Sequence, residues 1–183
     1  MESAGPKRIE EAVILAAGAS RRMGEPKALL SLDGEPLVVA HVRAFEAVGL
    51  RVTVVVGACG NDVVAVLPAS VRVVWNEAWA STGPAESAAL GLAGMGPALL
   101  TPVDVPPACR ADLQALIAAR GPAVLQFEGV DGHPVRLDPP HEPIRLDVRL
   151  RSAGRLVSAD PDRVLNLNSP PEWSAWLGGR GRG

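Results

Sequence analysis

The sequence predicts an α/β fold with three layers: an open, mostly parallel twisted sheet flanked by helices, with a small antiparallel element at its edge. Short apolar runs alternate along the chain with stretches in which apolar residues recur at helical spacing, a pattern typical of right-handed βαβ units. In the run Val52–Val56 every side chain is β-branched, which indicates a strand buried on both faces of a parallel sheet. Because such sheets bind ligands at the carboxyl ends of their strands, we expect the chemistry in the loops that follow strands.

The first half of the chain supplies three predicted strands and three predicted helices. Pro36 suits the first turn of a helix, apolar residues then recur at helical spacing, and Gly49 is placed to end it. The pair Asp33-Gly34 predicts a tight turn just before that helix. The predicted strands are Val13–Ala17, Arg51–Val56 and Val71–Trp75, and the predicted helices run from Pro36 to Val48, from Asp62 to Leu67 and from Gly83 to Met95.

The second half begins in the same way and then becomes irregular. Strands are predicted for Ala98–Thr101 and Val124–Phe127, and Asp112–Arg120 has one apolar helical face. The stretch Val130–Val135 predicts a tight turn into an edge strand. Between Ile144 and Leu150 apolar and charged residues alternate, which predicts a half-exposed strand.

The last predicted elements are a short strand over Arg163–Leu167 and a helix over Pro170–Leu177. Ser169 is placed as the N-cap of that helix, with Glu172 at the capping-box position. The remainder, Gly178–Gly183, contains only Gly and Arg, so we expect a flexible tail after a single domain of residues 1–177.

Composition restricts the classes of function. A chain of 183 residues with 48% hydrophobic residues is long enough to bury a core. The net charge of −2 argues against nonspecific binding to nucleic acid or to an anionic membrane. No apolar run approaches the length of a membrane span, and residues 1–11 lack the apolar core of a signal peptide. Cys59 and Cys109 have neither a disulfide framework nor metal-ligand spacing, so we expect a cytoplasmic protein.

The stretch Ala12–Lys27 is the most informative part of the sequence. A short apolar run ends in a loop of small residues that carries Arg21, Arg22 and Lys27, and such a loop offers backbone N–H groups and positive charge to an anion. Spacing excludes two familiar phosphate loops. The dinucleotide fingerprint requires Gly-x-Gly, and the Walker loop requires Gly-Lys-Ser/Thr, whereas Ala19-Ser20 and Glu25 follow the two glycines here.

This loop resembles a known signature. Leu15–Lys27 reads Leu-Ala-Ala-Gly-x-Ser-x-Arg-Met-Gly-x-x-Lys, which is similar at every fixed position to the opening motif of the molybdopterin nucleotidyltransferase family. Asp33–Leu37 (Asp-Gly-x-Pro-Leu), Gly132–Pro134 (Gly-x-Pro) and the Asn-x-Asn ending at 166–168 also resemble elements of that family. The resemblance implies a Rossmann-like nucleotidyltransferase fold. It also implies Mg²⁺-dependent transfer of a nucleoside monophosphate from an NTP to a small phosphate-bearing acceptor, with release of pyrophosphate.

The resemblance also assigns roles to individual residues. It implies that Arg22 and Lys27 bind the phosphates and that Asp104, in the Asp-x-Pro sequence after a strand, coordinates Mg²⁺. Asn168 is either a second residue at the metal or a turn residue, and His133 either contacts the acceptor or has no special role. Trp79 is interpreted as a packing residue rather than a base-stacking one. The implied nucleotide-binding residues are Leu15, Ala16, Ala17, Gly18, Ser20, Arg22, Lys27 and Gly83.

The nucleotide and the acceptor remain open at this point. Ala17 stands where the guanylyl-transferring branch tends to carry Gly, and its Cβ narrows the space for a base, which favours CTP. Gly83-Pro84 and the Asn-x-Asn ending are closer to the guanylyl branch, so GTP is the alternative. Molybdopterin is the acceptor best known for the family, and an apo-enzyme that receives the finished cofactor is a possible partner. The alternatives are a sugar- or polyol-phosphate nucleotidyltransferase and a noncatalytic nucleotide-binding protein, and the presence of Asp104 argues against the latter.

Overall fold

The computed structural model describes residues 8–180 and confirms the predicted α/β class, with a seven-stranded sheet and a separate two-stranded one. The strands are β1 (Glu11–Ala16), β2 (Ser31–Leu32), β3 (Glu35–Pro36), β4 (Arg51–Val56), β5 (Arg72–Trp75), β6 (Ala98–Pro102), β7 (Ala123–Phe127), β8 (Val130–Leu137) and β9 (Gly154–Val157). The α-helices are α1 (Leu37–Glu46), α2 (Gly60–Val66), α3 (Pro84–Leu92), α4 (Arg110–Ala118), α5 (Leu146–Arg149) and α6 (Pro170–Gly179). Short 3₁₀ helices cover Lys27–Leu29 and Pro161–Val164.

The large sheet has the strand order β5-β4-β1-β6-β8-β7-β9. All its pairings are parallel except those of β8, which runs antiparallel to both β6 and β7. The carboxyl ends of β4, β1 and β6 therefore meet at one edge of the sheet, where ligands of α/β proteins bind. The small antiparallel sheet is the hairpin β2–β3, whose turn at Asp33-Gly34 places both residues at positive φ.

Helices cover both faces of the sheet. Ala12 and Ile14 of β1 pack into one apolar core with α1 and α4, whereas Val13 between them packs into a second core with α3. Successive residues of a strand point to opposite faces, so an apolar run without alternation is what a strand covered on both sides requires. Gly91 lets α3 approach closely, because a Cβ at this position would lie 2.6 Å from side-chain atoms of both Val13 and Val55.

A third apolar cluster lies beside the loop after β1. It joins that loop and the β2–β3 hairpin to α6, whose Trp173 and Trp176 pack with ring centroids 5.3 Å apart. Its buried members are Met23, Leu30, Leu32, Leu37, Leu167, Trp173 and Trp176. The C-terminal segment is thereby fixed against the cationic loop, although the two are far apart in sequence. Within residues 8–180, no helix has the length and apolar character needed to cross a membrane.

The predicted strand at 144–150 is wrong, because this segment contains the single helical turn of α5. Leu146 and Leu150 both contact the second core, whereas Ile144 and Val148 are 43% and 41% exposed. Residues four positions apart lie on one face of a helix. Alternating apolar residues match a strand pattern, but only Leu146, which is partly buried, and Leu150, which is buried, pack against the core here.

The strand predicted over Arg163–Leu167 is also wrong, since the structure places a 3₁₀ helix at Pro161–Val164. Asp160 begins it by accepting a hydrogen bond from the Asp162 amide at 2.9 Å, and Pro161 occupies its first position. Pro in the first turn costs no hydrogen bond. The buried side chain of Arg163 reflects the ion pairs that it makes rather than strand alternation.

The predicted edge strand is an interior strand, because β8 lies between β6 and β7. Pro134 is tolerated there since the β7–β8 register shifts between Val124 and Gln126, so its missing N–H falls within an irregular part of the ladder. The outer strand on this side is β9, which the sequence did not predict.

Helix α6 starts as expected and extends to Gly179, which leaves less of the predicted tail than 178–183. Ser169 does not cap it by accepting from the backbone. Instead, the Glu172 carboxylate accepts from the Ser169 hydroxyl at 2.9 Å and from the backbone amide of Asn168 at 2.8 Å. Residues 181–183 of the predicted tail and residues 1–7 at the other terminus lie outside the described residues.

Candidate nucleotide and metal site

A cavity of about 240 Å³ opens at the carboxyl ends of β1 and β6. The two strands are parallel neighbours with Leu15 paired to Pro102, so the loops that follow them face each other across the cavity. Residues assigned from the sequence that line it are Leu15, Ala16, Ala17, Gly18, Ser20, Lys27, Gly83 and Asp104. Residues that the sequence did not indicate for the site also line it, among them Cys59, Val63, Thr82 and Ser87. Cys59 and Val63 follow β4, and Thr82 and Ser87 follow β5. A position after a parallel strand is the signal that would have indicated them.

The loop after β1 is tied into a defined shape by Ser20. This residue has a φ of 49°, in the left-handed region, and its carbonyl accepts a hydrogen bond from the Met23 amide at 2.9 Å. Its hydroxyl oxygen accepts from the Lys27 amide, also at 2.9 Å. Met23 is buried in the third cluster. The loop therefore presents Lys27 from a fixed backbone, while Arg22 remains exposed to solvent.

Lys27 brings the two candidate metal residues together. Its Nζ donates to Oδ2 of Asp104 at 2.8 Å and to Oδ1 of Asn168 at 2.7 Å. Arg22 Nη2 donates to the same Asn168 oxygen at 3.3 Å. The two cations of the loop thus meet a carboxylate and an amide oxygen from distant parts of the chain, at one side of the cavity.

The donor set fits a divalent cation. Mg²⁺ prefers oxygen ligands and is typically held by one or two carboxylates together with substrate phosphates and water. Asp104 and Asn168 direct oxygens at a common point that a cation, the Lys27 ammonium, already occupies. These oxygens could therefore accept a metal ion if the ammonium moved to a phosphate.

The segment that carries Asp104 is held on three sides. The Val103 amide donates to the Leu15 carbonyl at 3.0 Å, which extends the β1–β6 ladder by one residue. His41 of α1 hydrogen-bonds the Val105 carbonyl through Nε2 at 2.9 Å. The Leu167 amide donates to the Asp104 carbonyl at 2.7 Å. Burial lowers the pKa of His41 to about 4, so its ring is neutral at pH 7 and donates as Nε2–H.

His133 lies near Asp104 but does not line the cavity. Its Nδ1 is buried and has no hydrogen-bond partner among the described residues. Burial lowers the pKa of His133 to about 4, although the Asp104 charge acts in the opposite direction. The side chain is therefore neutral at pH 7, and its role toward an acceptor stays a prediction.

The loop after β5 closes the opposite side of the cavity. Asn76 is buried and organises this loop, since Nδ2 donates to Thr82 Oγ1 at 2.9 Å and to Ser87 Oγ at 3.0 Å. Gly83 is the N-cap of α3, and its backbone amide donates to the Glu86 carboxylate at 2.9 Å. Trp79 packs against the second core, as interpreted from the sequence, and also contributes to the cavity wall.

Comparisons with known proteins agree with this architecture. The family described as "MobA-like NTP transferase domain" matches residues 12–160. A "Probable molybdenum cofactor guanylyltransferase" of Synechococcus elongatus is 60% identical over 37 residues, which are 20% of this chain. The match spans only 19% of the length of that curated relative.

Solved structures share the fold over nearly their full length. Rv0371c from Mycobacterium tuberculosis H37Rv has a TM-score of 0.78 at 20% identity, covering 93% of this chain and 99% of that one. A nucleotidyl transferase from Methanothermobacter (Mth528) also has a TM-score of 0.78, at 22% identity over 96% of this chain and 99% of that one. A manganese complex of Rv0371c has a TM-score of 0.69 at 19% identity, covering 94% of this chain and 100% of that one. Since the family match covers most of its length, this chain belongs to the MobA-like NTP transferase domain family.

Proposed function

We propose that this protein transfers a nucleoside monophosphate from an NTP to a small phosphate-bearing acceptor and releases pyrophosphate. The observation that carries the proposal is the position of the Lys27 ammonium between Asp104 and Asn168, at the wall of the cavity where β1 and β6 end. A cationic group and two oxygen donors at a strand-end cavity match what a metal-assisted reaction of phosphates needs. Membership of the MobA-like NTP transferase family supports the same class of reaction.

The reaction does not require a dedicated general base. A phosphate oxygen of the acceptor forms a bond to the α-phosphorus, the bond from that phosphorus to the bridging oxygen breaks, and pyrophosphate leaves with the electron pair. An acceptor phosphate is already deprotonated, so catalysis consists mainly of alignment and of neutralising charge. Arg22 and Lys27 supply positive charge from the loop after β1.

Asp104 and Asn168 are the residues that would hold Mg²⁺, which when bound neutralises phosphate charge as the leaving group forms. That a divalent cation can bind this fold is supported by the manganese complex of Rv0371c. Lys27 hydrogen-bonds both residues here, and its flexible four-carbon side chain allows the ammonium to move to a phosphate oxygen. The same lysine would then serve two consecutive roles, as counter-charge of Asp104 without nucleotide and as phosphate ligand with it.

We propose that the nucleoside lies along the backbone of Ala16–Gly18, with CTP as the preferred NTP. Ala17 is 7% exposed and sits beside Gly57, where an added Cβ would lie 3.0 Å from the Ala17 methyl. The wall at this point is tightly packed, which favours the smaller pyrimidine ring. The second candidate is GTP, because the curated relative with the 37-residue match is named a guanylyltransferase.

A second cavity supports a place for the acceptor. It measures about 410 Å³ and shares Leu15, Gly83 and Pro84 with the first. Its remaining walls are mostly apolar and include Leu100, Leu137, Ile144 and Leu146. Apolar walls suit an acceptor such as molybdopterin, with a ring system beside its phosphate, better than a sugar or polyol phosphate, whose hydroxyls would lose hydrogen bonds to water. An apo-enzyme that receives the product remains a proposed partner.

The test is pyrophosphate release with a matrix of four NTPs and three acceptors: molybdopterin, a sugar 1-phosphate and a polyol phosphate. We expect turnover with CTP and molybdopterin, abolished by Asp104→Asn. Turnover only with a sugar or polyol phosphate would replace the acceptor assignment. NTP binding by calorimetry without turnover on any acceptor would support the noncatalytic alternative.

A further inference from the structure

Arg163 is a buried arginine that the proposed chemistry does not use. It is 2% exposed, and its guanidinium contacts four groups from three segments of the chain. Nη1 and Nη2 donate to the carbonyls of Pro106 and Pro107 at 3.2 and 3.0 Å. Nε donates to Asp160 at 3.1 Å and lies 3.7 Å from Asp112. The planar guanidinium thus uses its rigid set of donors to fix two backbone carbonyls relative to two carboxylates.

The segments that Arg163 joins are those that carry the two candidate metal residues. Pro106 and Pro107 lie two and three residues after Asp104, and Arg163 itself precedes Asn168 by five residues. A second link joins the same segments, since the Leu167 amide donates to the Asp104 carbonyl at 2.7 Å. Two connections between these segments restrict how far the Asp104 and Asn168 oxygens can separate.

The surroundings of Arg163 leave little room for it to shift. A Cβ on Gly132 would lie 2.1 Å from the Arg163 carbonyl oxygen, so β8 packs directly on the backbone of Arg163. Asp112 is itself held by Ser158 Oγ at 2.9 Å. Trp176 of α6 donates from Nε1 to Asp162 at 2.7 Å. Asp112 and the backbone segment around Arg163 are therefore each fixed by contacts with other elements.

Stability alone is a weak explanation for this arrangement. Replacing a buried ion-pair network by apolar residues is often neutral or stabilising. What the guanidinium supplies that an apolar side chain cannot is a fixed position for two proline carbonyls just after Asp104. Groups outside the coordination sphere that orient ligands in this way commonly control the affinity of metal sites.

We infer that Arg163 is a positioning residue, which holds Asp104 and Asn168 at the separation that a divalent cation requires and so sets the metal affinity of the site. The inference rests on the proposed function in one respect, that these two residues bind the metal. It assigns Arg163 no contact with nucleotide, and it predicts an effect on metal binding separate from an effect on nucleotide binding.

The test is Mn²⁺ binding by the full chain without nucleotide, measured from the electron paramagnetic resonance signal of the free ion. For Arg163→Met we expect about tenfold weaker Mn²⁺ binding, with NTP affinity in the absence of metal unchanged. The Mg²⁺ concentration for half-maximal turnover should rise by about the same factor, with kcat recovered at saturating Mg²⁺. Arg163→Lys, which retains the charge, should restore part of the affinity.

Arg136 provides a matched control. It is 3% exposed, pairs with Asp138 at 3.2 Å and donates to the carbonyls of Ile117 and Ala119. Like Arg163, it therefore binds two backbone carbonyls and a carboxylate. These groups lie near the amino end of β7 rather than at the cavity. Arg136→Met should lower stability to a similar extent and leave Mn²⁺ affinity within about twofold of the unmodified protein, because it touches neither ligand segment.

The outcomes separate the two proposals. If Asp104→Asn weakens Mn²⁺ binding but neither Arg163 variant does, the positioning role is overturned and the metal site stands. If Asp104→Asn has no effect on Mn²⁺ binding, the metal assignment itself fails. Should Arg163→Met not fold, Asp160→Asn replaces it, because the amide keeps the oxygen that accepts from Asp162 and removes the charge that holds Nε. Unchanged Mn²⁺ affinity in that variant and in Arg163→Lys would equally overturn the inference.

Discussion

The ammonium of Lys27 lies 2.8 Å from the carboxylate of Asp104, although 77 positions separate the two residues in sequence. The lysine side chain is 13% exposed and the aspartate 26% exposed, so solvent only partly screens the pair. This contact links the cationic loop after β1 to the candidate metal residue Asp104.

Replacing Lys27 or Arg22 with Ala should weaken NTP binding and leave the fold intact, because both side chains project from the loop after β1. Each change removes a charge-assisted contact to phosphate, worth on the order of 1.5–3 kcal/mol. Calorimetry with Mg²⁺ measures the affinity. Arg43→Ala is the control, since this exposed arginine pairs with Glu35 outside the cavity. Unchanged affinity in both loop variants would reject their role as phosphate ligands.

Lys27→Met should bind Mn²⁺ more tightly than the unmodified protein when no nucleotide is present. The ammonium occupies the point on which the Asp104 and Asn168 oxygens converge, so it competes with a metal for them. Removing a competing unit charge at this distance should strengthen binding several-fold, corresponding to about 1 kcal/mol or more at a partly exposed site. Direct Mn²⁺ titration checks this, and weaker binding in the variant would contradict the competition.

Asp104→Asn should abolish most turnover and weaken nucleotide binding much less. The substitution keeps the size and one oxygen but removes the charge that a metal needs as pyrophosphate forms. We expect turnover to fall by roughly a hundredfold, equivalent to about 3 kcal/mol of transition-state stabilisation. Asn168→Ala should show a milder form of the same effect. Near-normal turnover at saturating Mg²⁺ would argue against a metal role for Asp104.

Ala17→Gly should shift the preference between CTP and GTP toward GTP. Removing the methyl group enlarges the cavity beside Gly57, which makes room for the larger purine ring. Steric exclusion discriminates between bases more sharply than an added contact. Competition binding in Mg²⁺ gives the ratio of affinities for both proteins. Ala16→Gly serves as the control for added backbone flexibility. Clearly tighter binding of GTP by the unmodified protein would reverse the base assignment.

Folding stability should fall as the pH drops from about 6.5 toward 4, because burial lowers the pKa of His41 from 6.5 to about 4. In this window the unfolded chain binds a proton that the folded protein does not, so the free energy of unfolding decreases with decreasing pH. A shift of this size corresponds to about 3 kcal/mol. Urea unfolding at pH 7 and pH 5 measures the effect.

His41→Gln separates this histidine from His133, whose pKa is lowered in the same direction. Gln retains an N–H donor for the Val105 carbonyl and does not titrate in this range. In the variant, the free energy of unfolding should fall less steeply with decreasing pH, by the equivalent of about one bound proton. An unchanged slope would show that His41 is not responsible.

Much of the fold was predictable because its signals are local. The β-branched run of β4, the helical spacing before Gly49 and the Asp33-Gly34 turn each depend on residues next to one another. The cationic loop was recognisable for the same reason, since Leu15–Lys27 is one continuous motif. The predicted βαβ units also indicated that ligands bind in the loops that follow strands, and the loops after β1 and β6 do line the cavity.

The tertiary structure decided what depends on distant partners. The segment of α5 alternates like a strand, yet it is a helical turn because Leu146 and Leu150 reach the second core together. Strand β8 became interior because β7 and β9 pair beyond it, which no local pattern records. Arg163 looked like a strand residue, and its ion pairs with Asp112 and Asp160 exist only once three segments meet.

The sequence by itself thus predicted most strands and helices, the cationic loop after β1 and the candidate site residues. Only the tertiary structure placed Lys27 between Asp104 and Asn168 and placed Arg163 behind them. The physical reason is that propensity and hydrophobic periodicity act over a few neighbouring residues. The separation of two oxygens from remote loops is instead set by buried hydrogen bonds and packing, which form only when the chain has folded.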